Sequence, residues 1–183
     1  MKFLFVASAL LIAVVSSSVV RKKGLQDCGP AGSPISFSGA VLQDQTPVPG
    51  RLFMDLTTTT LVEATAEANL QIRKVTTRVA DNYQVPCLNG IAGTCTIELC
   101  TAIETYPDYV CTLFPQDVPC ACPLAASVYY NPSAYVTFTS EWLDIDGGVN
   151  GDYDTRIEII SELGSANETM LGCLDLQYTL VAI

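Results

Sequence analysis

The sequence predicts an all-β protein: an antiparallel sandwich that carries one short helix and is stapled by four disulfides. Three observations lead there. Apolar and polar residues alternate with period two along most of the chain, the pattern of a sheet with one buried face. Eight cysteines, an even number, lie in 183 residues behind a leader that reads as an export signal. Apolar residues make up 49% of the chain against 15% charged, enough to build a core and too apolar for a disordered tail.

The elements follow in order. Met1-Lys2 is followed by an unbroken apolar and small run over 3–15 and by Ser16, Ser17 and Ser18. That is the order of a secretory signal, and the run is shorter than the roughly 20 residues that span a bilayer. The reading is a signal peptide over 1–18 and a single domain over 19–183. Loss of Lys2 takes the formal charge from −10 to −11.

Residues 34–42 form a short strand, ended by the turn-rich 43–49. In 51–56, Leu52, Met54 and Leu56 point one way and Arg51, Phe53 and Asp55 the other; the threonines of 57–60 extend that strand. Residues 68–79 alternate through Leu70 and Ile72, and 84–87 is brief. Residues 128–130 and 135–142 read as a pair around Asn131-Pro132, with Val136 and Phe138 inward. Residues 155–162 put Ile157 and Ile159 on one face. The clearest alternation is 171–183, with Leu174, Leu176 and Tyr178 against Cys173, Asp175 and Gln177. The helix is expected over 96–106, where Leu99, Ala102, Ile103 and Tyr106 have helical spacing, Thr94 or Thr96 caps the start and Pro107 ends it.

The same composition excludes whole classes of function. There is no histidine, so Ser-His-Asp triads, Cys-His pairs and His-ligated zinc are absent. With 9 basic against 19 acidic residues, no groove for a phosphate backbone can be built, and nucleic acid is not a partner. The cysteines contain no CxxC pair, and Cys120-Ala121-Cys122 is a poor tetrahedral clamp, so disulfides are favoured over metal. Eight cysteines allow 105 pairings, and spacing leaves the pairing open.

The acidic stretch from Asp144 to Asp154 fails the calcium-loop template. Its fifth, sixth and twelfth positions are Gly148, Val149 and Thr155 where an oxygen ligand, glycine and glutamate are required. It reads as a solvated turn between strands. No catalytic constellation, metal or cofactor is expected, and the protein reads as a non-enzyme.

Asn167-Glu168-Thr169 is a glycosylation sequon. Trp142, beside Leu143 at a strand end, suits either a membrane interface or a core; Phe114, Leu124, Tyr129 and Tyr130 are equally ambiguous. The apolar faces exceed what one thin sandwich needs. A hollow, apolar-lined shell would use them, which suggests a lipid ligand.

Several motifs sharpen that suggestion. Val118-Pro119-Cys120-Ala121-Cys122-Pro123 is similar to the PCxCP signature of the ganglioside GM2 activator family. Leu171-Gly172-Cys173 before the last strand resembles the same family, as do Val85-Pro86-Cys87, Gly93-Thr94-Cys95-Thr96 before a helix carrying Cys100, and Arg156-Ile157-Glu158. The resemblance spans 27–183 and agrees in cysteine count and order. It implies a β-cup, an open antiparallel sandwich around a deep apolar cavity. It also implies the pairing Cys28–Cys173, Cys87–Cys95, Cys100–Cys122 and Cys111–Cys120.

Members of that family are non-catalytic. They lift a ganglioside from a membrane and present it to a lysosomal β-hexosaminidase. The resemblance therefore implies sphingolipid catabolism, a two-chain glycosphingolipid ligand, transient membrane contact, and a lysosomal or extracellular destination. The alternative is a secreted general lipid carrier, or an immune or venom lipid-binding ligand, without a hydrolase partner. Three departures bear on partner choice: Asn82-Tyr83 where the family carries a tryptophan, Arg51 where it carries a sequon, and the more acidic 144–154 loop.

A two-chain lipid has about 30 methylenes, so carrying it through water costs ~20 kcal/mol or more, which only an apolar cavity offsets. The expected wall is the inward set: Leu52, Met54 and Leu56; Leu70 and Ile72; Val136 and Phe138; Ile157 and Ile159; Leu174, Leu176 and Tyr178. Membrane contact is expected of Tyr83, Trp142 and Leu143.

Overall fold

The computed structural model describes residues 24–183; the signal peptide read over 1–18 lies outside them. Two sheets build the fold. Strands β2 (Ile35–Val41), β4 (Gly50–Thr60) and β8 (Ser127–Phe138) form an antiparallel sheet in the order β2-β4-β8. Strands β1 (Gly24–Asp27), β10 (Thr169–Ala182), β9 (Gly151–Ser161), β5 (Gln71–Arg78) and β6 (Tyr83–Gln84) form the larger one. There β7 (Cys95–Glu98) adds antiparallel to β5, and the short β3 (Thr46–Val48) adds to β10 as the parallel exception.

Alternation places the core. On β4, Leu52, Met54 and Leu56 are buried while Arg51 and Phe53 are exposed. On β10, Leu174, Leu176, Tyr178 and Leu180 are buried between half-buried neighbours. The sheets are joined where the Asp27 carboxylate on β1 accepts from Phe37 N on β2, at 2.7 Å. They also meet at Gly172, where an added Cβ would lie 2.8 Å from Ile35 Cβ, so the Leu171-Gly172-Cys173 motif has a steric reason.

Four disulfides close the molecule: Cys28–Cys173, Cys87–Cys95, Cys100–Cys122 and Cys111–Cys120. The pairing is the one implied by the family resemblance.

Three elements differ from the sequence reading. Residues 128–130 and 135–142 are not a pair of strands around Asn131-Pro132; β8 runs unbroken from Ser127 to Phe138, and Ser140–Asp144 is a 3-10 helix. The register slips between Met54 and Leu56 opposite that dipeptide. A proline is tolerated there because β8 is an edge strand and the slip is a bulge. Asn131 uses its amide to donate to the carbonyls of Thr112 and Phe114.

The helix starts later, as α1 (Leu99–Thr105), because 95–98 is strand. Its cap is Glu98, whose carboxylate accepts from Cys100 N at 2.9 Å and Thr101 N at 2.5 Å. The Thr94 hydroxyl instead accepts from Thr76 N on β5. Pro107 opens a second turn, α2 (Pro107–Val110), a position where its missing N–H costs nothing.

The third difference is the loop 144–150, which is no free turn. It is folded onto Arg78, 5% exposed, which donates to the carbonyls of Asp146 and Gly148 and to the Asp81 carboxylate. Gly147 sits at φ 75°, and a Cβ there would fall 2.6 Å from Arg78 Nη2.

Candidate functional site: an apolar cavity between the sheets

The inward faces of β4, β5, β8, β9 and β10 do not meet everywhere. Between them lies a cavity of ≈ 230 Å³ with an overwhelmingly apolar wall. Every expected wall residue lines it except Leu70. Leu70 is buried in a separate cluster with Ala102 and Ile103 of α1, and its carbonyl accepts from Leu99 N. It stands just before β5, next to the helix, where the facing surface is helix rather than cavity.

One end of the cavity is closed. Phe138 meets Trp142 edge-on at 4.9 Å between centroids and Tyr178 at 5.4 Å, and Trp142 meets Tyr153 edge-on at 6.0 Å. Trp142 is 3% exposed, which overturns its assignment as a membrane contact. A single-turn 3-10 helix over Ser140–Asp144 folds its ring back beneath the end of β8. Leu143 is half-buried against the same cluster, and Tyr83 is half-buried with its ring 4.9 Å beneath the Arg78 guanidinium. Neither offers a free apolar tip.

Towards the other end the wall opens. Along β4 burial gives way from Leu56 to half-buried Thr58 and Thr60, and Val62 continues the lining. Beside them Leu61 is 72% and Val128 61% exposed, and Val128 pairs with Thr59 across the sheet. These two apolar residues are the exposed tips that the sequence reading missed. Leu61-Val62, directly after a run of four threonines, was the available signal. Phe114 packs edge-on against Tyr129, and both line the cavity with Leu124, whereas Tyr130 is exposed.

The wall carries a short polar strip. Thr76 and Thr155 share a hydroxyl hydrogen bond at 2.9 Å, Thr155 and Tyr178 another at 2.8 Å, and the Thr76 hydroxyl donates to Gly93 O at 3.2 Å. Burial raises the Tyr178 phenol well above its ordinary range. Next to Thr76 on the same face stands Lys74, whose ammonium donates to Ile91 O. Desolvation brings Lys74 down to about 8. Its place beside Ile72 in the 68–79 alternation was legible; that this face lines a cavity was not.

Among the described residues the cluster of metal-ligand types is Cys28, Cys173 and Asp175, and both sulfurs are consumed in a disulfide. The 144–154 stretch is tied to β10: Thr179 donates to Asp152, and Ala182 N to Asn150 Oδ1. Asn167 is exposed in the β9–β10 loop and accessible to a glycan. No helix among the described residues is long and apolar enough to cross a membrane, and four disulfides fit an oxidising, extracellular-type compartment. In comparisons with known proteins, the chain matches no family model, and no curated protein matches it significantly.

Proposed function

We propose that the protein is a non-catalytic lipid-binding and lipid-transfer protein of the ganglioside-activator type. It takes a lipid from a membrane, shields the acyl chains in the cavity, and presents a glycosphingolipid head to a lysosomal glycosidase of the β-hexosaminidase kind. The observation that carries this reading is the cavity itself. At about 24 cal/mol per Å³, the value measured for engineered apolar voids, ≈ 230 Å³ represents roughly 5 kcal/mol of unrealised packing. A close-packed domain gains that back when an acyl chain fills the space. The β-cup and the disulfide pairing support the same reading, since both are what the resemblance implies.

The membrane-facing end is the open one, with Leu61 and Val128 as its apolar tips. A carrier without a hydrolase partner remains the second reading. It is favoured by Tyr83, which sits under Arg78 where a family member offers a tryptophan. The test is dequenching of a fluorescent glycosphingolipid in vesicles, run with and without β-hexosaminidase. Lipid extraction with accelerated hydrolysis supports the activator; extraction alone supports the carrier; neither overturns both.

A further inference from the structure

We propose that the cavity selects amphiphiles with a compact acid group, and that a long-chain fatty acid binds with its carboxylate inside, against Lys74. This rests on the reading that the cavity holds lipid chains and adds which head group it accepts.

Lys74 is in the middle of the wall. Its strand neighbours on the same face, Ile72 and Thr76, line the cavity, and so do its cross-strand partners Cys95 and Ile157. The ammonium has three donors, and Ile91 O takes one. No carboxylate lies within ion-pair distance of it among the described residues, and none lines the cavity. A second donor lining the cavity, at its closed end, lacks an acceptor: Trp142 Nε1 is buried with no partner.

A half-buried cation without a counter-charge on an apolar wall is costly, and a surplus of donors there calls for an acceptor. A glycan head is too large and too well hydrated to be drawn into such a space. A carboxylate on a single chain supplies the missing charge and acceptor atoms, while the chain covers the apolar wall. The other titratable groups facing the cavity are the phenols of Tyr109, Tyr129 and Tyr178, and no carboxylate is among them.

The experiment uses delipidated full-length secreted protein, with oleic acid and oleyl alcohol displacing an environment-sensitive fluorescent probe. The expected result is that oleate binds tighter than the alcohol by roughly ten-fold or more, as for a hydrogen bond to a charged group. The preference should weaken above about pH 8, where Lys74 loses its proton, while alcohol binding stays flat. Lys74→Met should lose the preference for acid over alcohol. Equal binding of acid and alcohol by the parent protein, at every pH, overturns the Lys74 proposal and leaves the lipid cavity standing. Binding of neither overturns the cavity reading itself. The comparison on the parent protein needs no variant.

Discussion

The two ends of the cavity are made from the same strands and do opposite things. At the closed end Leu52, Phe138, Trp142, Tyr153 and Tyr178 are each no more than 4% exposed, and four of them are aromatic rings in mutual contact. At the open end Thr58, Thr60 and Val62 continue the lining only half-buried, and Leu61 and Val128 stand in solvent. The facing rule is unchanged along β4; what differs is whether large rings reach across from the other sheet. Inward alternation therefore predicts facing, and filling is decided separately by side-chain size on the opposite wall.

Mutations that respect this division should separate stability from lipid handling. The largest effect is expected at the closed end. Trp142→Ala leaves a void where three rings met and should cost about 3–5 kcal/mol in urea unfolding. A loss under about 1 kcal/mol would mean that the closed end is not core.

Lys74 comes next, and its sign is opposite. Its folded value is depressed to about 8 from roughly 10.4 in an unfolded chain, so between those values the unfolded state holds more protons. Stability therefore rises with pH across that window, and the burial cost is fully present below it. Lys74→Met should stabilise the ligand-free protein at neutral pH by roughly 2–3 kcal/mol and flatten that rise. Urea midpoints for both proteins at neutral pH and at about pH 9.5 check it. A variant less stable than the parent contradicts it.

Glu98 tests the helix that roofs the second core cluster. Burial alone would raise its carboxyl, but the backbone N–H groups of Thr101 and Cys100 hold it below the usual range. Its contribution is present above the unfolded carboxylate value and is lost as pH falls through the lower folded one. Glu98→Ala should cost ~1 kcal/mol at neutral pH, measured by thermal unfolding.

The smallest stability effect belongs to the open end. Leu61→Ser and Val128→Ser should stay within about 0.5 kcal/mol of the parent and yet slow lipid extraction from vesicles. Unchanged extraction would move membrane contact elsewhere.

How much of this was legible depends on whether the cause is local. Strand faces are local, so Leu52 to Leu56 and Leu174 to Tyr178 read as inward from alternation alone, whereas a cavity behind them was what the resemblance implied. Trp142 was ambiguous because burial of a residue after a strand depends on which way a 3-10 turn folds it, and that is settled by Phe138 and Tyr153. Asn131-Pro132 was misread because proline breaks a central strand but not a bulged edge. The 144–150 loop looked solvated because the group that organises it, Arg78, lies far away in sequence. Lys74 drew no notice in the sequence; only its sheet partners Cys95 and Ile157 show that the face it shares with Ile72 lines a cavity. The disulfide pairing came from the family resemblance and not from spacing, which left every pairing open.

The most direct test of the central claim is the occupancy of the cavity in protein purified from its native source without detergent. Native mass spectrometry, followed by lipid analysis of a solvent extract, reads it. The account predicts one amphiphile per protein molecule, lost on extraction together with part of the stability and regained on incubation with lipid vesicles. Protein that is empty as purified, and that takes up no lipid from vesicles, would contradict it.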